Sequence, residues 1–389
     1  MIVQDEVPTD GSSNRLALLR WFVSCATLSV PQAAGPVAFS LVALSLTGET
    51  KGGAAMILAM TIAQVVGAIP LTRLGKKLSS ATVLRLLITF RTMALACIVL
   101  CAAFGAPFLW LIVFAAFAGA VNGAAYGYLR SVLNRFAHVS RLPRALGIAA
   151  TLNEVTFVLA PVAAAGLGSI SPIFALLALT ILGALPAVFV PHTGSSHIED
   201  LHSGGGSVLS PAIILWLMCA AGGGAAVAAI EIGAVAMALN FGYKPSLAIM
   251  FTVPLCLASV AGGIWISVLN RMATRRAVVC QLSLMTLGAA MAALGHSLTL
   301  TIVGAVFIGF VLAPLATHYS LSLDKLAPPH RRPEVFALLR TANAVGVIVA
   351  SAALTVVSLS VALVLVTGLM FAVTLVVATA SLWPQARNA

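Results

Sequence analysis

Two carboxylates stand inside long apolar runs, Glu154 in TLNEVTFVLAP (151–161) and Glu231 in AAVAAIEIGAVAMAL (225–239). A carboxylate in such surroundings must be paired, protonated or in touch with water. Those states correspond to three kinds of chemistry: latching to a basic group, carrying a proton, or facing an aqueous cavity. Glu231 follows the GGG stretch at 222–224, which loosens a helix and admits water. It is a candidate for proton exchange or for holding substrate, against the alternative of a helix-end carboxylate near an interface. His318 is a third candidate for proton transfer. Gln32, Gln64, Asn122, Tyr126 and Asn343 also interrupt apolar runs. Each could line a cavity or equally bond a neighbouring helix. No H-E-x-x-H, G-x-S-x-G or Walker pattern occurs, so neither an enzyme nor direct use of ATP is expected. No metal or cofactor is expected either. The six cysteines lie in or beside apolar segments without a C-x-x-C pair. His192, His197 and His202 recur every five residues, which does not stack them on one helix face.

The elements that must position these groups are membrane-spanning helices. The chain has 389 residues, of which 61% are hydrophobic and 8% charged, and its mean hydropathy is +1.09. Soluble domains carry about 25% charged residues. The length suits about twelve spans of about 20 residues. Apolar runs fall at 18–46, 52–72, 81–104, 107–129, 145–168, 170–190, 210–239, 245–269, 277–296, 298–322, 334–357 and 360–383. They are continuous rather than alternating, which argues against a β-barrel.

The net charge of +11 falls in short clusters between these runs, as the positive-inside rule expects, and not as a nucleic-acid surface. One set of ends holds clusters such as Arg73, Lys76 and Lys77, or Arg130, Arg135, Arg141 and Arg144; the opposite ends hold Lys51 and Lys244. Both termini are therefore expected in the cytoplasm. The opening MIVQDEVPTDGSSNR has no basic start or apolar core, so it is not expected to be a cleaved signal. Glu154 follows the helix-opening Pro143 by eleven residues, which puts it roughly 16 Å from the cytoplasmic start of its span. Arg91 and Arg340 lie nearer the cytoplasmic ends, and both are expected to snorkel to the interface.

An internal repeat organises the chain. RLPRALGIAATLNE (141–154) aligns with RRPEVFALLRTANA (331–344), matching Arg141 with Arg331, Pro143 with Pro333, Thr151 with Thr341 and Asn153 with Asn343. LTRLGKK (71–77) likewise matches LNRMATR (269–275). The reading is all-α, with two pseudo-symmetric six-helix bundles over 1–190 and 208–389 joined by a Gly-, Ser- and His-rich cytoplasmic linker at 191–207.

At this point the chain resembles the major facilitator superfamily over essentially its whole length. AIPLTRLGKK (68–77) keeps Arg73, Gly75, Lys76 and Lys77 of the family's loop signature, with Thr72 in place of its acidic residue. LAPVAAAGL (159–167) keeps Pro161 of an exporter signature in the fifth span, with alanines for its glycines; small residues still permit close helix packing. TLNEVTFVLAP and the segment around Glu231 also look like a bacterial branch of efflux proteins. The resemblance implies a cavity between the bundles, reached by Glu231 in the seventh span. It places Arg73, Lys76, Lys77, Arg271 and Arg130 at a cytoplasmic gate, and pairs Glu154 with Arg271 or with Arg130. The function it implies is alternating-access secondary transport in a bacterial inner membrane, with proton-coupled export of a small organic molecule. Alternatives are a proton-coupled importer of a nutrient or siderophore, and a membrane sensor that does not transport. The expected partners are a small-molecule substrate, protons and the lipid bilayer, without nucleic acid, and the chain is expected to act as a monomer.

Overall fold

A computed structural model of the protein describes residues 11–48, 51–75, 78–191 and 209–382. Among them are twelve helical segments long and apolar enough to cross a membrane, and no strand. The first segment is α1 (Gly11–Leu28) with α2 (Val30–Thr47), and the fourth is α5 (Phe108–Ala120) with α6 (Asn122–Phe136). The second and third are α3 (Lys51–Leu74) and α4 (Ser80–Ala103), and the fifth and sixth are α7 (Leu142–Ile170) and α8 (Pro172–Phe189). The second half follows with α9 (Pro211–Asn240), α10 (Ile249–Leu269), α11 (Arg275–Leu294), α12 (Leu298–Leu326), α13 (Arg332–Val356) and α14 (Leu359–Leu382). Apart from residue 191, the 191–207 segment lies outside the described residues.

The first and fourth spans are broken near their middles, where hydropathy alone reads continuous runs. Pro31 has no N–H for the ladder, and the next donor, Gln32 N, turns to Ser29 O at 3.1 Å. The Leu28 carbonyl is thereby released from its own helix. The second break is at Val121, between α5 and α6. The apolar core of the first half divides at this same level. One cluster holds Trp21, Leu84, Leu129 and Leu133 towards the basic end. Another holds Phe39, Met56, Ile98 and Leu111 towards the opposite end. The second half has one continuous cluster instead.

The repeat shows in the packing register. A Cβ at Gly67 would meet Ala120 O, and one at Gly119 would meet Met60 O. In the second half, Gly262 faces Phe310 O and Gly309 faces Leu255 O in the same spacing. Both helix pairs, α3 with α5 and α10 with α12, thus cross backbone to backbone on a reciprocal glycine pair. Pro143 and Pro333 both open their helices, α7 and α13, where a missing N–H costs nothing. Each is preceded by a single 3-10 turn, Val139–Arg141 and Pro329–Arg331.

Gly119→Val is expected to destabilise the protein by about 1–3 kcal/mol or more, because the added carbons meet a carbonyl and not a movable side chain. Gly309→Val should behave alike. A thermal-unfolding midpoint in detergent no lower than that of the parent would contradict this.

Candidate functional site

Between the two halves lies a cavity of about 420 Å³, within the usual range of about 300–1,000 Å³ for small-molecule sites. Six of the polar residues singled out in the sequence line it: Gln32, Gln64, Tyr126, Glu154, Glu231 and Asn343. Arg130 and Arg340 line it as well. Much of the remaining wall is apolar, with Ile57, Met60, Phe157, Val227, Leu312 and Val347.

The carboxylates come from facing walls, Glu154 from α7 and Glu231 from α9. Glu154 is half-buried and Glu231 exposed. The two are near enough to repel each other, and Ser259 of α10 stands beside Glu154. Neither has an ion-pair partner among the described residues. The pairings of Glu154 with Arg271 or Arg130 are not made. Arg271 is exposed in the turn after α10, and Arg130 turns to Ser320 Oγ at 2.7 Å and Asn134 Oδ1 at 2.6 Å. Asn270, next to Arg271, makes the contact with α7 instead: its Oδ1 accepts from Arg144 N at 3.0 Å, and its Nδ2 donates to Ser140 O at 2.9 Å.

Arg91 does not snorkel. It is fully buried inside the first half, because the broken first span offers it a free carbonyl. Its Nη1 donates to Leu28 O at 2.9 Å and to Asn122 Oδ1 at 3.3 Å, and its Nη2 donates to Gly183 O at 2.7 Å. Asn122 does not line the cavity but connects this buried cation to it, donating to Gln32 Oε1 at 3.0 Å and Gln64 Oε1 at 2.9 Å. Arg340 does not snorkel either. It reaches out of α13 to Gln32 Oε1 in the other half, and its guanidinium lies 5.5 Å from the centre of the Tyr126 ring. A polar chain therefore runs from Arg91 through Asn122 and Gln32 to Arg340, at the level of the two helix breaks. Hydropathy places an arginine by its distance to an interface and carries no information about a carbonyl released on a different helix.

The two asparagines matched by the repeat take equivalent places. Asn153 Oδ1 accepts from Ser29 Oγ at 2.8 Å, at the break in the first span. Asn343 Oδ1 lies against Gly224 in the seventh span, 2.5 Å from where a Cβ would stand. Each braces the middle of the span that opens its half. His318 lies outside the cavity wall. It is buried against Trp216, with ring centres 5.0 Å apart, and its Nε2 pairs with Ser322 Oγ at 3.2 Å. Pro161 sits within α7 without breaking it.

The halves are held together at the basic end. Arg73 Nη2 pairs with Glu334 at 3.0 Å across the boundary, and Arg331 meets the same carboxylate at 3.2 Å. Asn134 donates to Asp324 at 2.6 Å, and Arg332 pairs with Asp324 at 3.3 Å. Between these bonds α6 touches α13 directly, with Gly127 against Pro333 O and Ala337 N. The bonds described between the halves thus lie at the basic end and at the level of Gln32 and Arg340, and they close the cavity on the basic side.

Glu334 was not picked out as a site residue, although the sequence contains a signal for it. Thr72 stands where an acid would neutralise Arg73, and Glu334 is the acid within the repeat copy RRPE (331–334). Thr72 instead caps its own helix turn, its hydroxyl bonding Ala68 O at 2.9 Å, while its carbonyl accepts from Tyr128 at 2.8 Å. Lys76 and Lys77 lie outside the described residues.

No curated protein matches the sequence. Among solved structures, a bacterial homologue of the iron transporter ferroportin in an outward-facing state superposes with a TM-score of 0.77 at 11% identity, covering 95% of this chain and 99% of that one. The human organic anion transporter MFSD10 (TETRAN) gives 0.69 at 14% identity, covering 95% and 100%. The E. coli fucose:proton symporter gives 0.69 at 12% identity, covering 94% and 98%. At these identities the likeness is one of fold. The sequence model of the Major Facilitator Superfamily matches residues 21–351. With that match, and twelve apolar segments arranged as two repeat-related halves around a central cavity, the chain belongs to the major facilitator superfamily.

Proposed function

We propose that the protein is a secondary active transporter of a bacterial inner membrane, which exports a small organic molecule in exchange for protons. The observation that carries this is the cavity itself, lined by two carboxylates with no ion pair among the described residues and closed at one end by bonds between the halves. A site closed on one side by bonds between the halves fits one half of an alternating-access cycle. Rocking the halves about the cavity would release Arg73 from Glu334 and Asn134 from Asp324 and open the other side. The charge pattern puts the basic end, and with it both termini, in the cytoplasm. The structure then stands in the outward-open state. Glu154 and Glu231 are the proton carriers in this reading, and the bonds at the basic end form the cytoplasmic gate.

Proteoliposomes test it. The purified protein, loaded with a panel of small organic molecules, is expected to move at least one of them faster when a pH gradient is imposed. The same movement should acidify or alkalinise an entrapped pH dye. Downhill movement of a molecule with no response of the dye would rule out proton exchange. Absence of any flux across a chemically broad panel would favour the sensor reading.

A further inference from the structure

We propose that the substrate is a small organic anion whose carboxylate docks on the basic-end floor of the cavity, against Arg340, Arg130 and Gln64. The inference deepens the transporter reading and rests on it for the word substrate; the binding site it assigns does not.

The argument begins with charge that cannot be removed. Glu154 and Glu231 can each become neutral by taking up a proton and need no ligand to do so. An arginine cannot lose its charge in a protein, so a buried guanidinium keeps its demand for an anion. Among the described residues Arg340 reaches no carboxylate; its partners are Gln32 Oε1 and the face of Tyr126. Arg130 is buried, lies 4.6 Å from the Phe336 ring centre and bonds the neutral groups Ser320 and Asn134. Asp324, whose charge acts on Arg130 from a distance, is engaged directly by Arg332 and Asn134. Behind them stands Arg91, tied in through Asn122 and Gln32 without a carboxylate of its own.

The two cavity arginines act on one place. Tyr126 and Arg130 are four residues apart on α6 and share a face. Tyr126 is within electrostatic reach of both Arg130 and Arg340. Counted from its helix start, Arg340 stands about 12 Å from the basic end and Glu154 about 18 Å. The guanidinium pole is therefore the deeper one, and the carboxylates lie nearer the open side.

The unused hydrogen-bonding capacity has a matching sign. Among the buried polar atoms of this cavity wall without a partner are Arg130 Nη2 and Gln64 Nε2. Both can only donate. Gln64 is held in that sense because its Oε1 accepts from Asn122. The other two such atoms are the hydroxyls of Thr317 and Tyr319, which can donate as well. Buried donors without acceptors are costly, and a ligand oxyanion toward which these side chains turn would satisfy them where the positive charge collects. The apolar wall around Ile57, Met60 and Leu312 suits a hydrocarbon body attached to that oxyanion.

Ligand-induced thermal stabilisation of the full-length protein in detergent tests the assignment. The probes are small aliphatic and aromatic carboxylates, each beside its own primary amide and the amine of the same skeleton, at millimolar concentration. Carboxylates are expected to raise the melting midpoint and their amides and amines not to. Arg340→Gln is expected to weaken that binding by about tenfold or more, the scale of losing a charge-assisted hydrogen bond. Arg340→Lys, which keeps the charge, should bind better than Arg340→Gln. Arg130→Gln provides a second probe if Arg340→Gln does not fold, as judged by its ligand-free melting. Preference for amines or amides, no stabilisation by any carboxylate, or equal carboxylate affinity in the parent and both glutamine variants would each overturn the proposal. Flux separates it from the transporter reading. Carboxylates that bind at Arg340 but never exchange for protons would sink the exchange reaction alone. Proton-coupled flux of an amine or a neutral molecule would sink the anion assignment alone.

Discussion

Gly127→Leu is expected to stop transport while leaving the protein folded, by holding the basic end open. Gly127 is the point where α6 lies directly on α13, and a Cβ there would meet Pro333 O and stand 3.0 Å from Ala337 N. Those are backbone atoms near the start of a helix whose first turn also carries Glu334, the partner of Arg73 across the boundary. Leucine cannot be accommodated by a side-chain rotation, so the closed arrangement itself must be given up. In the opposite state, where the halves part at this end, the added side chain would meet only solvent or the opened cavity.

Moving a two-state equilibrium from 99:1 to 1:99 takes about 5.5 kcal/mol. A side chain forced into backbone costs about 1–3 kcal/mol or more, acts only on the closed state, and so moves the equilibrium a large part of that distance. The readout is a cysteine at Ser131, in a protein whose native cysteines have been replaced. Ser131 is on the Gly127 face of α6 and bonds only Gly127 O within its own helix, so its replacement breaks no bond between the halves. Labelling by a membrane-impermeant thiol reagent from the basic side should be slow with glycine at 127 and at least about tenfold faster with leucine, as expected when a minor state becomes the dominant one. Transport within a factor of two of the parent would show that the α6–α13 contact is not part of the cycle.

The second large effect is expected from replacing both cavity carboxylates. In Glu154→Gln with Glu231→Gln, exchange of substrate for substrate should persist, while flux driven by a pH gradient should fall at least about tenfold, the scale set by removing a required proton carrier. The two acids face one cavity and repel each other when both are charged. Glutamine reproduces the neutral, protonated form and never the charged one. The sign follows. With inbound protons exchanged for outbound substrate, flux through the parent protein should rise as the outside is acidified. The double variant should give a flat profile across the same range. A variant profile with the parent's slope would remove the coupling role from these two residues.

Much of this architecture is legible in one dimension. Twelve crossings follow from hydropathy, because burial in lipid is a property of each segment by itself. The repeat follows from local signatures such as RLPR and RRPE, since Pro at the first helical turn and Asn three turns in do the same work in both halves. Glu154 and Glu231 were legible as exceptions to an apolar pattern, and both line the cavity.

What the tertiary structure decided is partnership. Arg73 finds Glu334 across 261 residues, a partner that no local pattern names. Arg91 and Arg340 were expected to reach for an interface, and instead reach a released carbonyl and the opposite half. His318, a candidate for proton transfer, packs against Trp216 outside the cavity wall. The reason is the same in each case. A side chain's depth is set by the residues around it along the chain, so sequence reports it. Its partner is set by the rotation and offset of a helix far away in the chain, and those are fixed by features such as a glycine crossing or a proline break. The sequence by itself thus determined which groups lie in the membrane. The packing of the halves alone decided that the carboxylates face a cavity lined also by two arginines that, among the described residues, bond no carboxylate.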